Sequence, residues 1–324
     1  MPPFMQIEPV IVVGGINCDI TAAVDGEVMP ETSTPGRVSL SPGGVARNVA
    51  HGLAQLGVPV RLIGCVGTDP LSEWVLSRTA DAGVDVSTVD RVPGTGSGVY
   101  VSLLAAGELH SAVSDMGGID SLDPERLVAL LDTAGQAGAG GGEPKPAALV
   151  LDLNVSAPAA AAAVRWANTA GVPVVVEPVS VAKAVRLAGV AGQVEVVTPN
   201  LAEARALRVL PTGPSIARWV VTRGRFGAGY WENGTSAAQL VSAAPVATVN
   251  ANGAGDAFLA GLVAGRVRGL PWPEAVRWGV AAGRITAGSP QSVAPGLSAD
   301  AILRDVTRSD DRSDDRSDNQ GAGR

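Results

Sequence analysis

Lysine is almost missing from this chain: of 324 residues only Lys145 and Lys183 are lysine, the rest of the 24 basic residues being arginine. Neither lysine lies in a G-x-x-x-x-G-K-[ST] loop, so a Walker-type phosphate loop is excluded. No G-x-G-x-x-G follows a strand-like run, which counts against a dinucleotide-binding oxidoreductase. Aromatic residues are 3% of the chain, so Ala, Val and Leu must fill the core. Cys18 and Cys65 are the only cysteines. They are too few for a disulfide scaffold in a chain this long and read as buried free thiols of a reducing compartment. The only histidines, His51 and His110, lack metal-ligand spacing to them. No apolar run reaches the roughly 20 residues of a membrane span. Residues 1–6 carry no basic, signal-like start, so a cytoplasmic protein with no membrane partner is expected. Positive charge is short as well: a net charge of −7 argues against a nucleic-acid partner.

What is present is small and apolar, 46% of the chain being hydrophobic. Val10 to Val13 is a continuous apolar run ending in Gly14-Gly15, the pattern of a strand buried on both faces. Strand-like runs recur at 60–66, 148–153, 172–176, 194–197 and 218–222. Helical patterns lie between them at 45–56, 70–82, 158–169, 181–187 and 201–207, and two more close the chain at 257–268 and 273–287. This alternation predicts an α/β three-layer sandwich with a mostly parallel central sheet. Between Gly98 and Met116 the pattern becomes a hairpin, Val99, Val101 and Leu103 alternating with Tyr100 and Ser102. It reads as a small β-sheet lid, with a second lid piece at about 21–40. Residues 42–44 read as a turn, 135–146 as a Gly/Pro-rich loop, and 227–241 as a short hairpin. One domain is expected over 1–306, followed by a disordered Arg/Ser/Asp tail over 307–324.

One turn carries chemistry. An apolar segment, 244–249, enters Asn250-Ala251-Asn252-Gly253-Ala254-Gly255-Asp256, and a helix-like run follows. Gly253, Ala254 and Gly255 leave backbone N–H groups uncovered at a helix N-terminus, which is how an anion site is built. Asp256 is out of place beside a phosphate unless it faces an incoming hydroxyl and takes its proton. As a plain helix cap it would be unremarkable, and the turn alone does not decide between the two.

Four further motifs decide it. Gly43-Gly44-Val45-Ala46-Arg47-Asn48, Gly64-Cys65-Val66-Gly67-Thr68-Asp69, Asn200-Leu201-Ala202-Glu203 and Thr222-Arg223-Gly224 occur in that order before the turn. With them the chain resembles the ribokinase-like (PfkB) carbohydrate kinase family from about Val10 to Leu303. Within that family three stretches are most similar to its pseudouridine kinases: Ser41 to Asn48, Gly107 to Met116, and Glu177-Pro178-Val179-Ser180-Val181-Ala182-Lys183. The last has Glu177 where the pattern has Asp.

The resemblance implies transfer of a phosphoryl group from ATP to a small-molecule sugar or nucleoside hydroxyl, for this branch the 5′-hydroxyl of pseudouridine. It makes Asp256 the general base and Gly253, Ala254 and Gly255 the anion hole. Asn17, Asp19, Gly43, Gly44, Asn48 and Asn154 would hold the sugar, and Asp115 on the lid would read the base. Lys183, Asn200, Thr222, Gly224 and Gly227 would line the ATP side. Glu203 would act on Mg²⁺ through water, since that ion keeps several waters. Exposed lid strands imply a homodimer. Asn250-Ala251 replaces the family's usual Asp-Thr in the region of its monovalent-cation site, which leaves potassium activation uncertain. Ser72 likewise replaces a usual Gly.

Overall fold

The computed structural model describes residues 7–136, 145–232, 235 and 237–307. The chain runs β1 (Val10–Val13), β2 (Asn17–Val24), β3 (Arg37–Gly43), α1 (Val45–Gln55), β4 (Val60–Ile63), β5 (Cys65–Val66), α2 (Pro70–Asp81), β6 (Asp90–Arg91), β7 (Gly98–Ala105) and β8 (Glu108–Asp115). It continues through α3 (Gly117–Asp120), α4 (Pro124–Gln136), β9 (Ala148–Asp152), α5 (Ala157–Ala170), β10 (Val174–Glu177), α6 (Val181–Ala184), β11 (Gln193–Val197) and α7 (Leu201–Arg208). Then follow β12 (Ser215–Thr222), β13 (Ala228–Glu232), β14 (Gln239–Val241), α8 (Ala254–Val267), α9 (Trp272–Ala287) and a helix over 299–307.

Eight strands form the main sheet in the order β14-β13-β12-β11-β10-β9-β1-β4. From β4 to β12 the pairing is parallel, and β13 and β14 close the far edge antiparallel. The period-2 rule divides β1 between two cores. Val10 and Val12 pack in one cluster with α1, α8 and α9. Ile11 and Val13 pack in the other with α4 and α5. A strand covered on both faces must be apolar throughout, which is why the run Val10–Val13 has no polar residue. β1 sits between β4 and β9, so the chain leaves it in opposite directions. That is a switch point, and ligand crevices open at the carboxyl ends of strands there.

The second sheet has the order β3-β2-β7-β8, with β2 and β7 parallel and the outer pairs antiparallel. Register gives it two unlike faces. Asn17, Asp19 and Thr21 share one face with Ser41, Tyr100 and Ser102. Ile20, Leu40, Val101 and Val113 share the other. On that outer face Val38 and Val113 are 67% and 69% exposed.

Several elements differ from the sequence reading. The turn expected at 42–44 is strand: β3 runs to Gly43, and Pro42 is tolerated because β3 is an edge strand with no partner on its outer side. The helix expected over 181–187 breaks after Ala184 into a 3₁₀ turn. Helix α4 was not anticipated, although Pro124 opens it and Glu125 follows in its first turn. Ser72, in place of the family's Gly, is buried, its hydroxyl bonded to Asp69 at 2.9 Å and to Ser97 at 2.7 Å. Most of the 135–146 loop and nearly all of the 307–324 tail lie outside the described residues.

Candidate active site

The turn before α8 hangs from the end of α9. The N–H groups of Val249 and Asn250 both donate to Ala287 O, at 2.8 and 3.2 Å. Gly253 then takes φ +76°, and a methyl there would lie 1.9 Å from Ser292 O, so geometry and space both demand glycine. α8 starts at Ala254. Its Ala254 N–H is turned back to Ala251 O, at 3.3 Å. The N–H groups of Gly253, Gly255 and Asp256 have no acceptor among the described residues and remain for an anion. Behind this end α8 is apolar all round and buried from Ala257 to Gly265, so the helix terminus is fixed.

Asp256 is half-buried at this terminus, and Asn48 Nδ2 donates to its Oδ2 at 2.8 Å. Asn48 comes from the first turn of α1, so the starts of two helices meet here. Gly44 precedes α1 at φ +98°, where a Cβ would lie 2.3 Å from Gly15 O. Asp152, at the end of β9, ties the junction together. Its carboxylate accepts from Gly15 N at 2.9 Å, Ala46 N at 2.8 Å and Asn154 N at 2.8 Å. Across the cleft, Asn17 Nδ2 donates to Asp19 Oδ1 at 2.6 Å. Gly43 packs against that carboxylate so closely that a Cβ would lie 2.4 Å from it.

Carboxylates dominate the electrostatics. Burial, opposed by the Asn48 hydrogen bond and reinforced by the charges of Asp152 and Asp19, pushes Asp256 up to about 7. Burial also raises Asp19 and Asp152. Glu177 is pushed well above the usual range by burial, despite the hydrogen bond from Thr198. Arg47 faces both Asp19 and Asp256, and burial lowers it to about 10.

The side on which the resemblance expects the nucleotide is built differently. A cavity of about 660 Å³ opens beside the turn, lined in part by Thr222, Gly224, Phe226, Gly227 and Asn200. Asn200 pairs with Thr222 through an isolated bridge, which joins the start of α7 to the end of β12. Open N–H groups beside an apolar cavity fit a nucleotide with its phosphates. For Mg²⁺ the donors fit only at second hand. Asn200 and Glu203 form a capping box, with Glu203 Oε2 accepting from Asn200 N at 2.9 Å and Asn200 Oδ1 accepting from Glu203 N at 3.1 Å. Contact through water leaves that box intact. A monovalent cation does not fit. Asn250 Nδ2 donates to Pro290 O at 3.1 Å and its Oδ1 accepts from Asn252 N at 2.9 Å. The side chain is neutral and already spends both ends, Nδ2 joining the two loops and Oδ1 closing its own turn.

Thus Asn17 and Gly43 meet at Asp19, Asn48 meets Asp256, and Asp152 ties Asn154 to the Gly44 junction, while Asn200, Thr222, Gly224 and Gly227 line the cavity and Glu203 is boxed with Asn200. Lys183 Nζ bonds Asn154 Oδ1, which ties the expected nucleotide-side lysine to a residue expected to hold the sugar. Asp115 is not brought to the carboxylates. It ends β8, exposed, on the sheet face shared with Cys18 and Val99, and accepts from Gly117 N at 3.0 Å. Sequence reasoning missed Asp152 and Arg47. Asp152 offered a signal, an acid ending a buried strand beside Asn154. Arg47 sat in a quoted motif as an ordinary helical arginine.

A family model described as pfkB family carbohydrate kinase matches residues 8–299. Pseudouridine kinase of Escherichia coli (strain K12) is 30% identical over 292 residues, covering 83% of this chain and 87% of that one. Among solved structures, a carbohydrate kinase from Agrobacterium tumefaciens aligns with TM-score 0.78 at 27% identity, covering 93% of this chain and 97% of that one. Arabidopsis thaliana ribokinase complexed with ribose and ATP aligns with TM-score 0.75 at 20% identity, covering 93% and 99%.

Proposed function

The chain belongs to the pfkB family of carbohydrate kinases and is an ATP-dependent kinase of ribokinase-like fold, and from that premise we propose that it phosphorylates the 5′-hydroxyl of pseudouridine. The observation that carries the chemistry is Asp256, held by Asn48 at the open N-terminus of α8. A carboxyl pushed up to about 7 is matched to a base working near neutrality. In this reading Asp256 takes the proton of a primary hydroxyl placed between Asp19 and Asn48. The N–H groups of Gly253, Gly255 and Asp256 hold the transferring phosphoryl group as charge moves from the leaving to the attacking oxygen. Positioning and electrostatics carry most of such a reaction. Mg²⁺ bound with the nucleotide would supply charge neutralisation at the phosphates, and Glu203 and Asn200 would act on it through water.

The substrate assignment rests on the likeness to the Escherichia coli pseudouridine kinase and on the three stretches that carry it. Asp115 reads the base in this proposal only if the end of β8 turns inward as the lid closes. Kinases of ribose, adenosine or fructose share the catalytic half, and a sensor on the same fold would not need a base. The apolar outer face of the lid and its edge strands β3 and β8 support a homodimer of a cytoplasmic enzyme. Sedimentation giving a monomer at micromolar concentration contradicts that assembly.

The test is ADP release with MgATP across pseudouridine, uridine, ribose, adenosine and fructose, with Asp256→Asn as control. Turnover selective for pseudouridine and lost in the control supports the full reading. Turnover on ribose or adenosine keeps the mechanism and removes the substrate. Binding without turnover on any of them leaves the sensor.

A further inference from the structure

We propose that Arg47 is a positioning residue for the acceptor half of the site, supplying the positive charge against which Asp19 and Asp256 are held. The proposal rests on Asp256 being the base.

Arg47 is the third residue of α1, where the helix end is already positive and a cation is disfavoured. It is also 4% exposed, and burying a guanidinium costs stability unless it is paired. It is not paired in the ordinary way. Its Nε is buried without a hydrogen-bond partner. Its Nη1 and Nη2 each lie 3.5 Å from His51 Nδ1. No carboxylate comes within ion-pair distance of it among the described residues.

The groups around it explain the arrangement. From α1 itself comes His51, which burial and the Arg47 charge push down to about 4, so it is neutral near pH 7. Gln55 lies 3.2 Å behind the other ring nitrogen, and its Oε1 is buried without a partner. Turning the Gln55 amide lets Oε1 accept from His51 Nε2–H and leaves the Nδ1 lone pair facing Arg47. The guanidinium is thus backed by a neutral relay that takes none of its charge. From β2 comes Asp19 and from α8 Asp256, both acting on Arg47 as charges. Asp152 of β9 and Glu177 of β10 also face Asp256. Against those acids, Arg47 is the cation that acts on the Asp256 carboxyl. A side chain serving the fold alone would be apolar here or would close a salt bridge. This one stands back from two acids that must stay free for substrate.

The pH dependence of kcat/KM for the sugar or nucleoside acceptor tests it, on Arg47→Met and Arg47→Lys, with thermal unfolding as the check on folding. In the unaltered enzyme the rate falls as pH drops through about 7, because Asp256 must be charged to take a proton. Without the cation, charging Asp256 is harder, so in Arg47→Met the acid limb moves to higher pH by about one unit. Activity then falls about fivefold at pH 7, approaches a tenfold loss below pH 6 and recovers at pH 9. Arg47→Lys keeps the charge and holds the limb near its original place. A uniform loss at every pH with an unmoved limb overturns the proposal, since that is what a structural role produces. If Arg47→Met does not fold, Arg47→Lys decides: a limb in place with folding retained supports the charge, and a displaced limb overturns it. An acid limb absent from the unaltered enzyme is a different failure, that of Asp256 as the base.

Discussion

The acceptor and donor halves of the cleft are built from opposite materials. In the half proposed to take the acceptor, polar side chains of β2, α1 and α8 bond one another, Asn48 to Asp256 and Asn17 to Asp19, and Asp152 of β9 accepts from three backbone N–H groups. Beside the turn, in the half proposed to take the nucleotide, the open groups are backbone N–H groups and a mostly apolar cavity with Phe226 60% exposed at it, and Asn200, Thr222, Arg225 and Arg284 add polar side chains to its lining. Side chains discriminate hydroxyl patterns, because a missing partner leaves a buried polar group unpaired. Backbone and apolar surface accept any phosphate chain carrying a planar base. On the proposed reading, specificity belongs to the acceptor half and charge stabilisation to the donor half.

The largest break in that comparison is Asp256→Asn. It removes the base and lowers kcat by about 10³-fold. It also raises the melting temperature at pH 8. The folded carboxyl is pushed up from 3.8 to about 7, so the folded state holds its proton more tightly than the unfolded chain does. Above pH 7 the native enzyme carries the full cost of a buried charge that Asn lacks. The advantage of the variant shrinks as pH falls below 7 and is gone near pH 4. Equal or lower stability at pH 8 contradicts the assigned burial of the charge.

Gly255 and Gly253 separate anion binding from folding. A methyl on Gly255 meets nothing within 4 Å, while one on Gly253 meets Ser292 O at 1.9 Å. Gly255→Ala therefore leaves the melting temperature unchanged or slightly raised, alanine being the better helix former by about 1 kcal/mol. The methyl occupies the space of the anion, and kcat/KM falls about 10²-fold, the scale of losing one preorganised donor. Gly253→Ala lowers both rate and stability. If the two variants behave alike, the open N–H groups are not the anion hole.

Smaller still is Phe226→Ala. The ring lies on the donor cavity, and losing one aromatic contact of about 1 kcal/mol raises the KM for ATP about fivefold. The acceptor KM stays put. A change in the acceptor KM instead would merge the two halves that the structure keeps apart.

The legibility of the site follows the same division. The parallel sheet was readable because fully buried strands such as Val10–Val13 leave a pure apolar run. The anion turn was readable because backbone sites announce themselves as glycine. Asn17, Asp19 and Asn48, the side chains proposed to hold the acceptor, could be singled out because a strand or helix end carried them. Asp152 and Arg47 were not. Their meaning depends on partners 106 and 137 residues distant for Asp152 and on charges carried by β2 and α8 for Arg47. Asp115 shows the converse: its place on a lid strand is legible, but which sheet face it takes depends on register. The break of the helix after Ala184 and strand β3 running through Pro42 are likewise tertiary choices.

The smallest effect expected is that of potassium. The family resemblance places a monovalent cation beside the anion turn, where its charge would steady the loop that carries the open N–H groups. Here the turn is steadied by hydrogen bonds instead. Asn250 reaches from it to Pro290 O, and the N–H groups of Val249 and Asn250 close on Ala287 O. A cation at Pro290 O would have to displace an amide that already satisfies it. Replacing potassium by tetramethylammonium at constant ionic strength is therefore expected to change kcat by less than about twofold, within the range of general salt screening. Asn250→Asp gives the sharper arm. It removes the donor to Pro290 O and adds a negative charge, so its activity should fall in tetramethylammonium and return with potassium. Strong potassium dependence in the unaltered enzyme would mean that the Asn250 amide gives way to the ion, and that the donor half is held by charge rather than by its backbone alone.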